Sequence, residues 1–476
     1  MELTETAVRD LVSQVLAGLD GSAPAASGAA TGAAAGLGIF PDTDGAVRAA
    51  RKAHKDLMAL GLETRRRMVA ALREAVLANL STLARMAVEE TGMGRVEDKE
   101  AKNRVAATKT PGPEDLESTS FSDDSGLTVV ERAPYGVIGS ITPSTNPTET
   151  VIHNGISMVS GGNTVVFNAH PAARKVSCHV VSLLNEAMMK AGGPPNVLCT
   201  VAQPTIQSAQ ALFDHPDVNL LVVTGGPAVV RTAMRSAKKT IAAGPGNPPC
   251  VVDETADLAK AGRDIVAGAG FDNNIICIDE KEILAVASIA DRLLAELARS
   301  GAYILTREQA EKVTRLVVAE PGGPGREGAP NKAFVGKDAC LIGRAAGIEV
   351  PESARILLFE ADSRHPLVWT EQLMPVIPLV RVGNVEEAID LAVECEHGYR
   401  HTAVMHSRNV ESLSRMARAM NCSVFVKNGS AFNGLGCGGA GFTSWTIASP
   451  TGEGLTRART FTRERRCALI GAFRIV

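Results

Sequence analysis

The feature that most constrains this chain is a series of short apolar runs that alternate with stretches of helical spacing. GVIGSI (136–141), NTVVFN (163–168), NVLCTV (196–201) and NLLVVTGG (219–226) follow one another with room for a helix between most of them. Runs this uniformly apolar suit strands covered on both faces, and parallel strands joined by crossover helices provide that cover. The expected fold class is therefore α/β, with a nucleotide-sized ligand at the carboxyl ends of the strands. A second βα-rich region extends from about residue 250 to 440, with the strand-like runs CVVD, RILLFE, PVIPLVRV, TAVMHS and CSVFVKN. Two edge-type segments, LTVVERAPYG (127–136) and RCALIGAFRIV (466–476), are far apart in sequence and able to pair into a small sheet. Residues 42–105 read as helix, with Met68, Leu72, Val76, Leu80 and Leu83 recurring at three or four.

The chain has 476 residues, enough for about three domains of ordinary size. An apolar share of 45% with 21% charged residues supports a large buried core and excludes a disordered chain. Aromatics at 4% against 45 glycines favour α/β over an aromatic-packed β sandwich. Lys plus Arg at 49 against Asp plus Glu at 52 gives a net charge of −3, which is no footprint for a polyanion, so nucleic acid is not an expected partner. No window reaches the ~18 to 20 apolar residues of a membrane helix, and Glu2 and Glu5 stand where a secretory leader would be basic. Nine scattered cysteines without a C-x-x-C pair read as reduced thiols in a cytosolic compartment, with neither a disulfide framework nor a metal site.

Residues 1–19 place Leu3, Ala7, Val8, Leu11, Val12, Val15, Leu16 and Leu19 at helical spacing, as in an amphipathic helix. Residues 20–38 are almost wholly Gly, Ala, Ser, Thr and Pro, the composition of a flexible tether. A tethered apolar helix is expected to dock on another protein; the alternative is a core helix on a long loop.

Two segments carry candidate chemistry. FDNNIICIDEKEIL (271–284) sets Cys277 between an apolar pair and an acidic cluster. Sulfur attacks as thiolate, so a site using Cys277 is expected to offer amide donors or a cation that lowers its pKa. SITPSTNPTETVIHNG (140–155) puts Thr142, Pro143, Ser144 and Asn146 where a strand gives way to a helix. The Asn146 amide and the Cys277 backbone N–H make a pair of donors for an oxyanion. Taken alone, Asn146 also suits a helix cap or a turn before Pro147.

The motifs APYGVIGSITPSTNP, FNAHPAA, LLVVTGG, AAGPGNPP, FDNNIICIDEK, EQLMPVIPLV, GYRHTAVMHS and GCGGAGFTSWTIASPTGEG occur in this order. Together they resemble the aldehyde dehydrogenase superfamily, and within it the coenzyme A-acylating propionaldehyde and acetaldehyde dehydrogenases of bacterial microcompartments. The resemblance spans about residue 40 to 476, and residues 1–38 resemble that branch's encapsulation peptides. It implies a Rossmann-like cofactor domain (39–124 and 137–246), an α/β catalytic domain (247–440) and a β oligomerisation arm (125–136 and 441–476). It also implies a homodimer or homotetramer in the microcompartment lumen of the cytoplasm, with NAD as cofactor, coenzyme A as cosubstrate and a short aldehyde as substrate.

By position, the resemblance makes Cys277 the nucleophile and Asn146 the oxyanion donor. Glu371 matches the carboxylate on the nicotinamide ribose. Thr224, Gly225 and Gly226 match the turn beside the nicotinamide and pyrophosphate, and Thr142, Pro143 and Ser144 fall in the cofactor-binding strand-to-helix turn. His170 and Pro171 fall where hydrolytic relatives carry a Lys-Pro pair near the adenosine ribose. His401 resembles a histidine near the sulfur in acylating enzymes, or is a structural histidine. One departure stands out: the Glu-Leu-Gly-Gly-Lys segment of hydrolytic relatives, whose Glu activates water, is replaced by AAGPGNPP with Ala243 at the Glu position. Without that base, thiolysis by coenzyme A is favoured over hydrolysis. The competing expectations are a hydrolytic dehydrogenase releasing free acid, and a non-catalytic interaction protein working through its N-terminal helix.

Overall fold

A computed structural model describes residues 37–476. The expected helix at 1–19 lies outside the described residues, as does the expected tether except for its last two positions. Those two form a turn rather than a tether: Gly38 takes φ 83°, and its N–H donates to Asn196 Oδ1 at 3.1 Å. The helical stretch expected over 42–105 resolves into four helices, Thr43–Met58, Leu62–Ala78, Leu80–Thr91 and α1 (Val96–Lys109). The first carries an Asp42 cap on Gly45 N–H at 2.7 Å, which satisfies one of the otherwise orphaned donors of its first turn.

Six parallel strands form the first sheet: β1 (Ile39–Phe40), β2 (Val137–Thr142), β3 (Thr164–Ala169), β4 (Leu198–Val201), β5 (Val218–Thr224) and β6 (Thr240–Ala243). Their spatial order is 1-4-3-2-5-6. The chain winds outward from β2 through β3 to β4, then returns to lay β5 and β6 on the other side of β2. That reversal opens a crevice at the carboxyl ends of β2 and β5, where doubly wound sheets bind their ligands. The helix after β2, α2 (Pro147–Ser160), is buried at every position. Pro147 opens it where its missing N–H costs nothing, and two of its polar residues find internal partners, His153 with Thr456 at 3.2 Å and Asn154 with Ser140 at 3.2 Å. After β5, Gly226 leads into α3 (Pro227–Met234).

The second sheet has seven parallel strands: β7 (Pro249–Val252), β8 (Glu282–Val286), β9 (Ala302–Ile304), β10 (Ile356–Ala361), β11 (Val376–Val382), β12 (Thr402–His406) and β13 (Val424–Lys427), in the order 9-10-11-8-7-12-13. Only residues 244–248 separate β6 from β7. The chain therefore leaves the carboxyl edge of the first sheet and enters the amino edge of the second within five residues, which sets those two edges facing each other.

The two edge segments do pair: Thr462–Ile470 runs antiparallel to Gly126–Pro134, from Thr462↔Pro134 to Ile470↔Gly126. A further strand, Thr119–Asp123, flanks them and was not singled out in the sequence. Phe121, Leu469 and Ile470 of this sheet are exposed. Among the described residues no helix is long and apolar enough to cross a membrane.

Candidate active site

Four site residues sit at the amino ends of four strands that are neighbours in the second sheet. Cys277 precedes β8, Gly246 precedes β7, Glu371 precedes β11 and His401 directly precedes β12. Sequence reasoning found three of them; Gly246 was missed, although its place in the short inter-sheet linker was a signal. A Cβ built on Gly246 would lie 2.6 Å from the Cys277 carbonyl oxygen and 3.0 Å from the His401 ring. Its N–H donates to Glu371 Oε1 at 3.1 Å. The glycine is thus the point at which nucleophile, histidine and carboxylate converge, and only a residue without a side chain fits there.

Cys277 sits in a turn closed by Asp279 N–H on Ile276 O at 3.1 Å and by Ile276 N–H on Asp279 Oδ2 at 3.1 Å. Before it, Asp272, Asn273 and Asn274 take φ of 44°, 57° and 62°, three successive left-handed residues. Asp and Asn tolerate this region better than other side chains, and a run of three stores backbone strain next to the nucleophile. Lys281 holds the loop together from beneath: its buried Nζ donates to Asn274 O (2.8 Å), Asn274 Oδ1 (2.6 Å) and Ile276 O (3.1 Å).

The electrostatics of the thiol depart from expectation. Burial and the neighbouring Glu371 carboxylate push the Cys277 thiol up to about 12, although the Lys281 ammonium and the cysteine's own N–H pull the other way. A cation is present, as a thiolate site requires, but desolvation and a like charge outweigh it. Glu371 is itself pushed up to about 7 by burial, against the opposing pull of Lys281 and the Gly246 N–H. Burial, with a smaller contribution from Lys281, lowers His401 to about 3, so its ring is neutral. His401 Nδ1 lies 2.8 Å from Thr402 Oγ1, while its buried Nε2 has no partner among the described residues.

Asn146 ends the loop after β2, at the cap position immediately before Pro147 of α2. Its backbone carbonyl accepts from Thr150 N–H at 3.1 Å, but its side chain does not cap the helix. Instead Oδ1 accepts from Lys102 Nζ at 2.6 Å, and Lys102 also donates to Asp272 Oδ2 at 2.5 Å. Asn146 is thereby joined to the strained run that leads to Cys277. Lys102, on α1, went unnoticed in the sequence because its helix reads as a solvated charged segment.

The residues expected to hold a cofactor gather at the other edge. Thr142 ends β2 and Pro143 and Ser144 follow it; Thr224 ends β5, next to it, and Gly225 and Gly226 follow. His170 and Pro171 follow β3 on the opposite side, with His170 N–H donating to Thr142 O at 3.0 Å. His170 is exposed, and its Nδ1 accepts from Ala172 N–H at 3.2 Å, capping a short turn. A dinucleotide fits this edge: Thr142 Oγ1 is buried without a partner, a Cβ on Gly226 would meet open space, and the Gly226–Pro227 step opens a helix whose N-terminus favours phosphate. Glu371, across the junction, is a carboxylate able to accept from two ribose hydroxyls. At the end of β6, Ala242 and Ala243 are buried and bring only methyl groups.

A nucleotide crevice set edge to edge against a turn-held cysteine defines a dinucleotide-dependent oxidoreductase that works through a thiol. The chain belongs to the aldehyde dehydrogenase family, whose model matches residues 32–321. It is 50% identical to an acetaldehyde dehydrogenase (acetylating) of Bilophila wadsworthia, covering 100% of both chains. The crystal structure of Rhodopseudomonas palustris propionaldehyde dehydrogenase, with bound CoA and an acylated cysteine, superposes with a TM-score of 0.88 at 48% identity, over 91% of this chain and 98% of that one. A propionaldehyde dehydrogenase from the Clostridium phytofermentans fucose utilisation bacterial microcompartment gives 0.89 at 46% identity, over 92% of this chain and 100% of the other.

Proposed function

We propose that this chain oxidises a short aliphatic aldehyde, propionaldehyde by preference, to its coenzyme A thioester with NAD. The observation that carries this reading is the buried, unpartnered Nε2 of His401 beside the Gly246 junction, opposite a β6 end that carries methyl groups instead of a carboxylate. Such a site offers an incoming thiol a buried acceptor atom, and it has no glutamate at the β6 position from which hydrolytic relatives activate water.

In this reading Cys277 loses its thiol proton to solvent and adds as thiolate to the aldehyde carbon, and the electron pair of the carbonyl moves onto oxygen. The Asn146 amide and the Cys277 N–H hold that oxyanion. NAD supplies the hydride acceptor, held by Thr142, Pro143, Ser144, His170, Pro171, Thr224, Gly225, Gly226 and Glu371. Loss of hydride from the carbon restores the carbonyl and leaves a thioester on Cys277. With its ring proton on Nδ1 and donated to Thr402 Oγ1, His401 offers Nε2 as a hydrogen-bond acceptor that orients the incoming coenzyme A thiol, whose proton ends on the departing Cys277 sulfur, the stronger base. The new carbon–sulfur bond forms as the Cys277 thiolate leaves.

The hydrolytic alternative draws on one observation, a Glu371 carboxyl at about 7 beside the thiol, which is the range of a general base. A single assay separates the two. With NAD and propionaldehyde, acyl-CoA is the expected product when coenzyme A is present, and turnover falls away when it is omitted; free acid released at the same rate without coenzyme A contradicts the proposal.

The finer assignments follow the same relatives. The enzyme works in a bacterial microcompartment lumen as a homodimer or homotetramer, with residues 1–19 docking it to a shell or cargo protein. The microcompartment origin of a relative at 46% identity and the apolar spacing of residues 1–19 support this.

A further inference from the structure

α1 is a helix without an apolar stripe, yet Asp98, Lys99, Lys102 and Asn103 on it are buried. Buried ammonium groups are retained only where acceptors surround them. Lys102, fully enclosed, reaches three acceptors on two separate segments: Asn146 Oδ1 at 2.6 Å at the cap of α2 and, as an ion pair, Glu149 Oε1 at 3.1 Å in its first turn, and Asp272 Oδ2 at 2.5 Å in the left-handed run before Cys277. Lys99 adds a second grip on the same two loops, at Asp272 Oδ2 (3.0 Å) and the Thr145 carbonyl (3.2 Å).

We propose that Lys102 is a positioning residue for the oxyanion donor: its ammonium fixes Asn146 with Oδ1 inward, so that Nδ2 is the atom turned to the reacting carbon, and ties that amide through Asp272 to the loop of the nucleophile. An amide is nearly symmetric in shape, and a flipped Asn146 would set an acceptor oxygen against the developing negative charge. An ammonium has three donors and no acceptor, so it tolerates only the oxygen of the amide as its partner. Among the described residues Nδ2 donates only to Thr145 Oγ1, at 3.3 Å, which leaves its second N–H for an oxyanion. Lys102 touches no reacting atom; it acts through Asn146. This inference rests on the reading of Asn146 as the oxyanion donor.

The test is a double-mutant cycle on the full chain with Lys102→Met, which keeps the volume of the side chain, and Asn146→Ala. Loss of an oxyanion donor costs ~10²–10³ in kcat, and Lys102→Met is expected to approach the lower figure, with KM for NAD little changed. In the Asn146→Ala background the same substitution is expected to lower kcat by less than about threefold, because the residue it orients is gone. An equal fall in both backgrounds, or wild-type kcat for Lys102→Met, overturns the inference while leaving Asn146 as donor. Wild-type kcat for Asn146→Ala overturns the donor reading itself, and the inference with it. If Lys102→Met does not fold, Asn146→Asp tests the orientation with Lys102 intact: a carboxylate keeps the bond to the ammonium but turns an oxygen toward the oxyanion. Its kcat is expected to fall below that of Asn146→Ala; kcat at or above it overturns the inference.

Discussion

The backbone N–H of Gly246 donates to Glu371 Oε1 at 3.1 Å, and this bond pins the five-residue linker between the two sheets to the strand edge that carries the carboxylate. Because the same glycine lies against the Cys277 carbonyl and the His401 ring, it sets the spacing of the whole junction. Gly246→Ala is expected to force backbone and ring apart, since a Cβ there falls 2.6 Å from a main-chain oxygen. Overpacking of this kind costs ~1 to 3 kcal/mol, and a displacement of the reacting groups on the order of 1 Å costs about 10² in rate. Steady-state kinetics and thermal melting check both; unchanged kcat/KM contradicts the assignment of Gly246 to the junction.

The thiol, held up at about 12 by burial and by Glu371, is expected to react slowly with iodoacetamide at neutral pH. Its alkylation rate rises through pH 9 without a plateau, because the thiolate fraction is still growing there. Glu371→Gln removes the like charge and is expected to speed alkylation at pH 8 severalfold. Peptide mass analysis of Cys277 reads the rate, and a plateau near pH 7 in the wild-type protein contradicts the electrostatic account.

Glu371 is raised to about 7, and its ionised form is the better acceptor for ribose hydroxyls. Affinity for NAD is therefore expected to strengthen as pH rises from 6 to 8, the window in which the carboxyl loses its proton, and to weaken below it. Glu371→Gln is expected to bind more weakly and to flatten this dependence. Calorimetric titration at several pH values measures it; a wild-type affinity independent of pH between 6 and 8 contradicts the role.

Much of the fold was legible because strands buried on both faces read as unbroken apolar runs, as in VVF of β3 and VIPLV of β11. β8 escaped notice because Glu280, Lys281 and Glu282 interrupt its approach, and such a trio normally marks a solvated turn. Here all three are buried, and Lys281 is satisfied by the carbonyls of the cysteine loop, which no local pattern discloses. Lys99 and Lys102 were hidden for the same reason: their partner Asp272 is about 170 residues away. Cys277 and Asn146 stood out as candidates in their own segments, but a single Cys or Asn carries little signal of its own, and their roles, like the whole of the reading of Glu371, came through family motifs. The raised thiol was illegible because it depends on how deeply the turn is packed and on Glu371, which a different strand brings alongside.

The role proposed for residues 1–19 is docking and not catalysis. Deleting residues 1–20 is expected to leave kcat and KM of the purified enzyme within about twofold, an effect small beside the tenfold that 1.4 kcal/mol represents. The truncated chain is expected to lose co-purification with microcompartment shells. Full encapsulation of the truncated protein contradicts the docking role.

The central claim is an acyl group carried on one sulfur and handed to another. Rapid-quench mass analysis after mixing enzyme, NAD and propionaldehyde without coenzyme A tests it most directly. A propionyl adduct is expected on the peptide containing Cys277, persisting in buffer and disappearing within the turnover time when coenzyme A is added. An adduct on another residue, no adduct during turnover, or discharge by water as fast as by coenzyme A contradicts it.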